Sequence, residues 1–514
     1  MEKAPGMDGD IKPARIVYCS KSFRIGGGIA RMDHYHHAFL DRKLFDPVFV
    51  VTDEPGEGGQ AYGGVAPYIF TGLENRFEKL LEILSTADMV VFSDVFSPII
   101  CEAAIASKVP AIVEVAHDIA TGRMYDEIDV TICVSEAARK VQPVPEKTAV
   151  IHNGINLPEF PFRAAPKDNG GKIIILQAGS RGKAEINLDE LAGEIAAINP
   201  SVEIWMAGAD QTLPSTDRVK FLGVQNDIAS LYHKADLLFL YSKREAFGLV
   251  VAEAMACGLL PVVSDNGGPA EIVSNGVDGW IGQAGNRSEA VAMIRKALAT
   301  YGTDEWEKMR KAARAKVENS FSIERCVREY EKVFTRILNA KGRRMAPGPR
   351  SAPVPPEVFI EEAVFHMQRG DWNRAVEMLR RMDETPTPVR VKLCAWALEK
   401  FAKQAVARGD LSTADLCYRK LYNSGFRDAP WMKDWLSVIP SGEFKTLLIK
   451  ELIGMEPLNP DIYMSQAEEF LIAGDVGSAL NSLREGAACC PQSEDIRQVL
   501  NMLSEKLGGG GHAV

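Results

Sequence analysis

No stretch of this chain approaches the roughly 20 apolar residues that a membrane-crossing helix needs. CxxC pairs are missing too. The nine cysteines are scattered, mostly in apolar or helical stretches, and their number is odd. That argues against a disulfide framework or a zinc ribbon and for buried thiols in a reducing compartment. The opening residues, MEKAPGMDGDIKPA, lack the apolar centre of a signal peptide. A basic excess is absent as well: the formal net charge is −10 and the sequence pI is about 5.5. Nucleic acid, whose phosphates call for a basic face, is therefore not an expected partner. A local basic patch still leaves room for peripheral contact with the inner face of a membrane. The expectation is a cytoplasmic protein.

What is present is an ordinary globular composition, 46% hydrophobic and 25% charged. At roughly 100–200 residues per domain, 514 residues suggest about three domains. The first part alternates short Val- and Ile-rich runs with helical patterns. The runs are RIVYCS (15–20), FDPVFVVTD (45–53), DMVVFSD (88–94), PAIVEVAHD (110–118) and VTICVS (130–135). Runs that are apolar throughout read as strands buried on both faces of a parallel sheet. Between the first two, Ile29, Met32, His36, Phe39 and Leu40 recur at helical spacing. The pattern then restarts with KIIILQAGS (172–180), VEIWMAG (202–208), VKFLG (219–223), DLLFLYS (236–242) and LPVVSD (260–265). Two such series predict an α/β architecture of two facing Rossmann-like domains with a ligand cleft between them. VIHNGINLPEFPFRAAPKDNGGK, between the series, supplies turn formers for a hinge.

After a helical stretch near 304–340 comes KGRRMAPGPRSAPVPPE (341–357), proline-rich and without periodicity, which reads as a linker. The remainder, 358–506, reads as all helix. RGDWNRAVEML (369–379), RGDLSTADLCY (408–418) and AGDVGSALNSL (473–483) share Gly-Asp followed by Ala five residues after the Gly. Each Gly-Asp can end one helix and start the next, and the Ala permits close packing. The pattern resembles tetratricopeptide helix–turn–helix repeats, with irregular spacing. Such arrays bind peptides or proteins. An unrelated helical bundle is the other reading.

The chemistry gathers in REAFGLVVAEAMACG (244–258). A helix is expected from near Phe247–Gly248 to about Ala256, stopped by Gly258. The N–H groups of Gly248, Leu249 and Val250 lie at its N-terminus, where phosphate binds well. Glu245 precedes that end. Glu253 follows about five residues into the helix, roughly 7–8 Å along its axis. A diphosphate could lie across the helix end, with a carboxylate toward each end of an extended ligand. Carboxylates accept well from hydroxyl pairs, and a sugar nucleotide carries hydroxyls at both ends.

The longer stretch EAFGLVVAEAMACGLLPVVSDNGGPAEIV strongly resembles the donor-site signature of the GT-B glycosyltransferases of the retaining family 4 type. GGGIAR, VAHD, VIHNGIN and FLGVQNDIASLYHKADLLFL support the likeness, which covers about residues 14–340. The resemblance implies transfer of a hexose, with retention, from a nucleotide diphosphate sugar such as a UDP-sugar to a protein or glycan hydroxyl, as in polysaccharide biosynthesis. It implies that Glu245 binds hexose hydroxyls and Glu253 the ribose diol. The backbone around Phe247, Gly248, Leu249 and Val250 would hold sugar and diphosphate, and Arg181 and Lys183 would neutralise the phosphates. The family usually spaces that Arg and Lys further apart, and solvated loop charges are the other reading of both. His117, at the end of a strand, matches the family's active-site histidine. Gly27 and Gly28, in the triplet Gly26–Gly28, would let backbone approach the donor, a tight turn being the alternative. His34, His36 and His37 have no acidic or cysteine cluster beyond Asp33, so no metal and no other cofactor is expected, in keeping with the family.

The expected layout is an N-terminal arm (1–13), an acceptor-side domain (14–165) and a donor domain (166–340) whose last helix crosses back to the first. The linker (341–357), tetratricopeptide-like repeats (358–506) and a Gly-rich tail (507–514) follow. The competing functional readings are another GT-B enzyme, such as a sugar-nucleotide epimerase or a phosphorylase, and a catalytically inert repeat scaffold.

Overall fold

The computed structural model describes residues 12–22, 28–54, 68–72, 75–93, 98–120, 122, 125–163, 171–179, 181–208, 213–225, 227–381, 391–423, 425 and 427–508. The chain falls into two compact units, 1–353 and 354–514.

The first unit opens with β1 (Ala14–Ser22), α1 (Gly28–Phe39), β2 (Phe45–Glu54), β3 (Tyr68–Phe70), α2 (Arg76–Leu84), β4 (Met89–Phe92), α3 (Pro98–Ala106), β5 (Ala111–Ala116), β6 (Val130–Cys133), α4 (Glu136–Lys140) and β7 (Thr148–Val150). Its strands form one parallel sheet in the order β3-β2-β1-β4-β5-β6-β7. Every residue of β4, β5 and β6 is buried. Helices cover both faces, so these strands show unbroken apolar runs rather than alternation. The order reverses between β1 and β4, and α1 starts after β1 beside that crevice, the usual ligand position in such sheets.

A second series follows: β8 (Ile173–Ala178), β9 (Ala184–Ile186), α5 (Ala192–Ile198), β10 (Val202–Ala207), β11 (Val219–Gly223), α6 (Ile228–Lys234), β12 (Leu237–Ser242), α7 (Leu249–Cys257), β13 (Leu260–Ser264), α8 (Pro269–Ile272), β14 (Trp280–Gly282), α9 (Arg287–Thr300), α10 (Asp304–Ser320) and α11 (Ile323–Lys341). The parallel order is β11-β10-β8-β12-β13-β14, and β9 adds antiparallel to β12. One continuous hydrophobic core runs through both sheets.

Two links tie the sheets together. Ile155 pairs with the segment before α11: its N–H donates to Phe321 O at 2.8 Å, and its carbonyl accepts from Ile323 N at 3.0 Å. Helix α11 then packs against α1 and β5 of the first sheet. Tyr330 meets His36 with ring centroids 4.3 Å apart, and Phe334 meets Phe45 at 6.1 Å. Beyond α11 the chain stays on the first sheet's side. Arg344 donates to the carbonyls of Ala87 (2.9 Å), Ser107 (2.9 Å) and Lys108 (2.7 Å), and Gly348 N donates to Ser85 O at 2.7 Å.

The second unit comprises α12 (Pro356–Gln368), α13 (Trp372–Arg381), α14 (Val391–Ala407), α15 (Leu411–Asn423), α16 (Ala429–Leu436), α17 (Glu443–Met455), α18 (Pro460–Ile472), α19 (Val476–Cys489) and α20 (Glu494–Gly508). Its three Gly-Asp motifs build one kind of turn. Gly370, Gly409 and Gly474 take left-handed φ of 80°, 76° and 78°, where a side chain would be strained. Asp371, Asp410 and Asp475 then accept from the N–H of Arg374 (3.3 Å), Thr413 (3.0 Å) and Ser478 (2.9 Å), capping the next helix. Ala375, Ala414 and Ala479 are fully buried where the paired helices touch. Among the described residues no helix of either unit is long and apolar enough to cross a membrane.

Candidate active site

The cleft between the two sheets is built around the start of α7. Ser242 ends β12, and a five-residue loop leads to Gly248, whose φ of 93° is left-handed. The helix runs from Leu249 to Cys257, and Gly258 closes it by donating to Met255 O at 3.0 Å. The loop rests on a second one. Gly268 N donates to Glu245 O at 2.9 Å, and Asn266 Nδ2 donates to Lys243 O at 2.6 Å. A Cβ on Gly267 would lie 2.1 Å from Glu245 O, and one on Gly268 2.3 Å from Ala246 O. Only glycines fit this contact. The sequence signal for this support was the Gly-Gly-Pro inside the signature.

Glu245 lies at the mouth of that loop. Burial pushes its carboxyl above the usual range, and the Lys183 ammonium with the backbone N–H groups of Phe247 and Gly248 pulls it back. Lys183 reaches this place because β9 pairs with β12; Lys183 O accepts from Lys243 N at 3.1 Å. Arg181, two residues earlier, is turned to carboxylates. It pairs with Asp189, and with Glu190 at 3.3 Å. The structure thus puts Lys183 within electrostatic range of Glu245 and holds Arg181 on its own domain. The Phe247 ring packs on His152 and Phe321 at the joint, at 6.0 and 5.8 Å, leaving its backbone at the helix start. Leu249 and Val250 are half-buried there.

Glu253 sits deeper. Its side chain is 3% exposed. One carboxylate oxygen receives the guanidinium of Arg31, from α1 of the other domain, and the second accepts from Tyr232 Oη at 3.0 Å. Burial raises its pKa, opposed by Arg31 and Tyr232. Gly28, the first residue of α1, lies against α7: a Cβ there would stand 3.0 Å from Leu249 Cδ1. The first residue of α1 therefore lies against the first residue of α7. Gly27 lies outside the described residues.

His117, just past β5, is held neutral: burial lowers its pKa to about 4. The next residue, Asp118, takes a two-point pair from Arg244 of the facing domain, at 3.0 and 2.6 Å. By sequence Lys243–Arg244 are charges that either steer diphosphate or are solvated; in the structure Arg244 is a bridge across the cleft. Glu271 of α8 makes a third bridge, accepting from the N–H of Glu136 and Ala137 at the start of α4, both at 2.9 Å, and pairing with His152 at 3.1 Å. Arg31, Tyr232 and the Asp118–Arg244 pair went unassigned in the sequence. Arg31 stands in the GGGIAR motif, but its partner is 222 residues away. His36 is buried between Tyr18 and Tyr330, and the His37 ring faces Phe49. Among the described residues no three His, Cys, Asp or Glu side chains gather as metal ligands would.

Residues 172–316 match the family model of the glycosyl transferases group 1. The match contains every candidate residue of the second domain. The N-acetyl-alpha-D-glucosaminyl L-malate synthase of Bacillus anthracis is 34% identical over 123 residues, which are 24% of this chain and 32% of that protein. The chain thus spans about a third of the length of that curated relative. The first unit is also similar in structure to a glycosyltransferase from Rickettsia africae, with a TM-score of 0.54 and 17% identity over 63% of this chain and 99% of the other. Anabaena Alr3699/HepE, solved in complex with UDP-glucose, aligns with a TM-score of 0.53 and 18% identity over 63% of this chain and 99% of its own. At such identity the likeness carries the fold, and that fold is GT-B: two Rossmann-like domains about one cleft, here with an all-helical unit after them.

Proposed function

We propose that the chain is a retaining glycosyltransferase that moves a hexose from a nucleotide diphosphate sugar to an acceptor hydroxyl. One observation carries this reading: the first residues of α1 and α7 lie against one another across the cleft, with Glu245 in the loop before α7 and Glu253 within that helix. Helix N-termini present unpaired N–H groups and the positive end of the dipole, and so attract a diphosphate. Glu245 then takes hexose hydroxyls and Glu253 the ribose diol, both as charge-assisted acceptors. Lys183, already beside Glu245, neutralises phosphate; Arg181 joins it by leaving Asp189. The bound UDP-glucose of Alr3699/HepE, in a similar fold, supports a donor of this class.

The diphosphate leaves toward the two helix ends and Lys183, which stabilise its growing charge without a metal ion. The acceptor oxygen enters on the same face and passes its proton to the departing phosphate oxygen, which retains the anomeric configuration. His117, neutral at working pH, contributes hydrogen bonds rather than charge. Closed bridges across the cleft limit entry of water. Glu245→Gln should lower transfer at least about 100-fold, as loss of substrate positioning does, with an unchanged circular dichroism spectrum. A radiolabelled-sugar assay checks this, and full activity of the variant sinks the assignment.

The helical unit fits the same reading as a tetratricopeptide-like module that recruits a protein acceptor or partner. Its support is the three repeated Gly-Asp turns, each followed by a buried Ala.

A further inference from the structure

The Glu253 carboxylate, which the ribose diol would need, is engaged before any ligand arrives. Tyr232, 0% exposed, holds it from behind. Arg31, with 22% of its side chain exposed, covers it from the cleft side. With 3% of the Glu253 side chain exposed, ribose hydroxyls reach the carboxylate only if a cover moves, and Arg31 is the one on the open side.

We propose that Arg31 is a nucleotide-reading residue with two positions: on Glu253 in the free protein, and on the donor diphosphate once a ribose diol takes the carboxylate. This rests on the donor reading given above. Three features argue for the second position. A guanidinium displaced from a buried carboxylate is unfavourable unless another anion receives it. The diphosphate supplies one close by, because Arg31 lies three residues along α1 from Gly28, and Gly28 touches the first residue of α7. One helical turn is about 5.4 Å, within the reach of an arginine side chain. Finally, the planar guanidinium matches phosphate oxygens by two parallel hydrogen bonds, as it matches a carboxylate. Arg31 thus exchanges one oxyanion for another, while hydroxyl groups replace it on Glu253. A nucleoside, having no phosphate, must break the pair without offering a substitute.

The test compares a nucleoside with its diphosphate on the full-length protein by isothermal titration calorimetry. UDP, GDP and ADP are titrated first, and the base that binds tightest is used afterwards. For Arg31→Ala we expect the nucleoside to bind several-fold tighter and the diphosphate about tenfold weaker or more. Arg31→Lys keeps the cation but not the fork. It should recover part of the diphosphate affinity, and it serves as the main variant if the alanine form does not fold. Equal weakening of both ligands, equal strengthening, or no change in either overturns the proposal. Glu253→Gln in the same assay separates the two levels. If it leaves nucleoside binding intact, or if the wild type binds none of the three diphosphates, the donor reading itself is wrong and the role of Arg31 falls with it.

Discussion

Asp33 on α1 is 3% exposed, and burial pushes its carboxyl up from 3.8 to about 8. The native state therefore keeps a proton that the unfolded chain releases from about pH 4 upward. Its contribution to stability is greatest below that range and declines as pH rises to about 8. His36 and His117 act in the opposite sense. Burial lowers them from 6.5 to about 3 and about 4, so the unfolded chain binds protons that the native state refuses. Stability from this pair is full above about pH 6.5 and falls as pH drops toward about 3. Asp33→Asn removes only the first effect. Its melting temperature should exceed the wild type's at pH 8, and the gap should close toward pH 4. Thermal melts across that range check it; a gap independent of pH would refute it. At this scale, legibility in the sequence depended on locality. Glu245 and Glu253 belong to one short signature and could be read together. Asp118 and Arg244 are 126 residues apart, and Arg31 and Glu253 222, so nothing in their spacing joins them. Lys183 meets Glu245 only through β9, a strand too short to be seen.

Among the elements, the Gly-Asp turns are repeated but not identical. Asp475 caps its helix through Ser478 N. Asp410 caps through Thr413 N and also accepts from Trp372 Nε1, at 3.2 Å, from the preceding helix pair. Asp475→Ala should cost about 1 kcal/mol, the usual value of a lost cap. Asp410→Ala should cost more, since a partly buried indole N–H loses its acceptor too. Denaturant unfolding of the helical unit, followed by circular dichroism, should rank them in that order. The turns were legible because Gly and Asp each do a distinct backbone task at fixed spacing. The ten longer strands were legible as apolar runs. The three-residue strands β3, β7, β9 and β14 were not, because three residues carry no period and most of these strands lie at sheet edges.

For the whole molecule, the helical unit has hydrophobic cores of its own, distinct from the core shared by the two sheets. On the proposed function, removal of residues 354–514 should therefore leave donor hydrolysis intact while reducing transfer to the acceptor. Equal loss of both activities would give the unit a stabilising role instead. The two-sheet plan could be read from the restart of the strand pattern, because each series is contiguous in sequence. The bridges that close the cleft could not, since each joins one series to the other.

Those bridges differ in how far water reaches them. Asp118 and Arg244 are 52% and 55% exposed, whereas Glu253 is 3% exposed. Dissolved ions screen charges that water surrounds, over a length of about 10 Å at 0.1 M, and screen buried pairs far less. Ionic strength is therefore a selective solvent dial on this cleft. Raising it slackens the lip beside Glu245 and leaves the Glu253 end clasped.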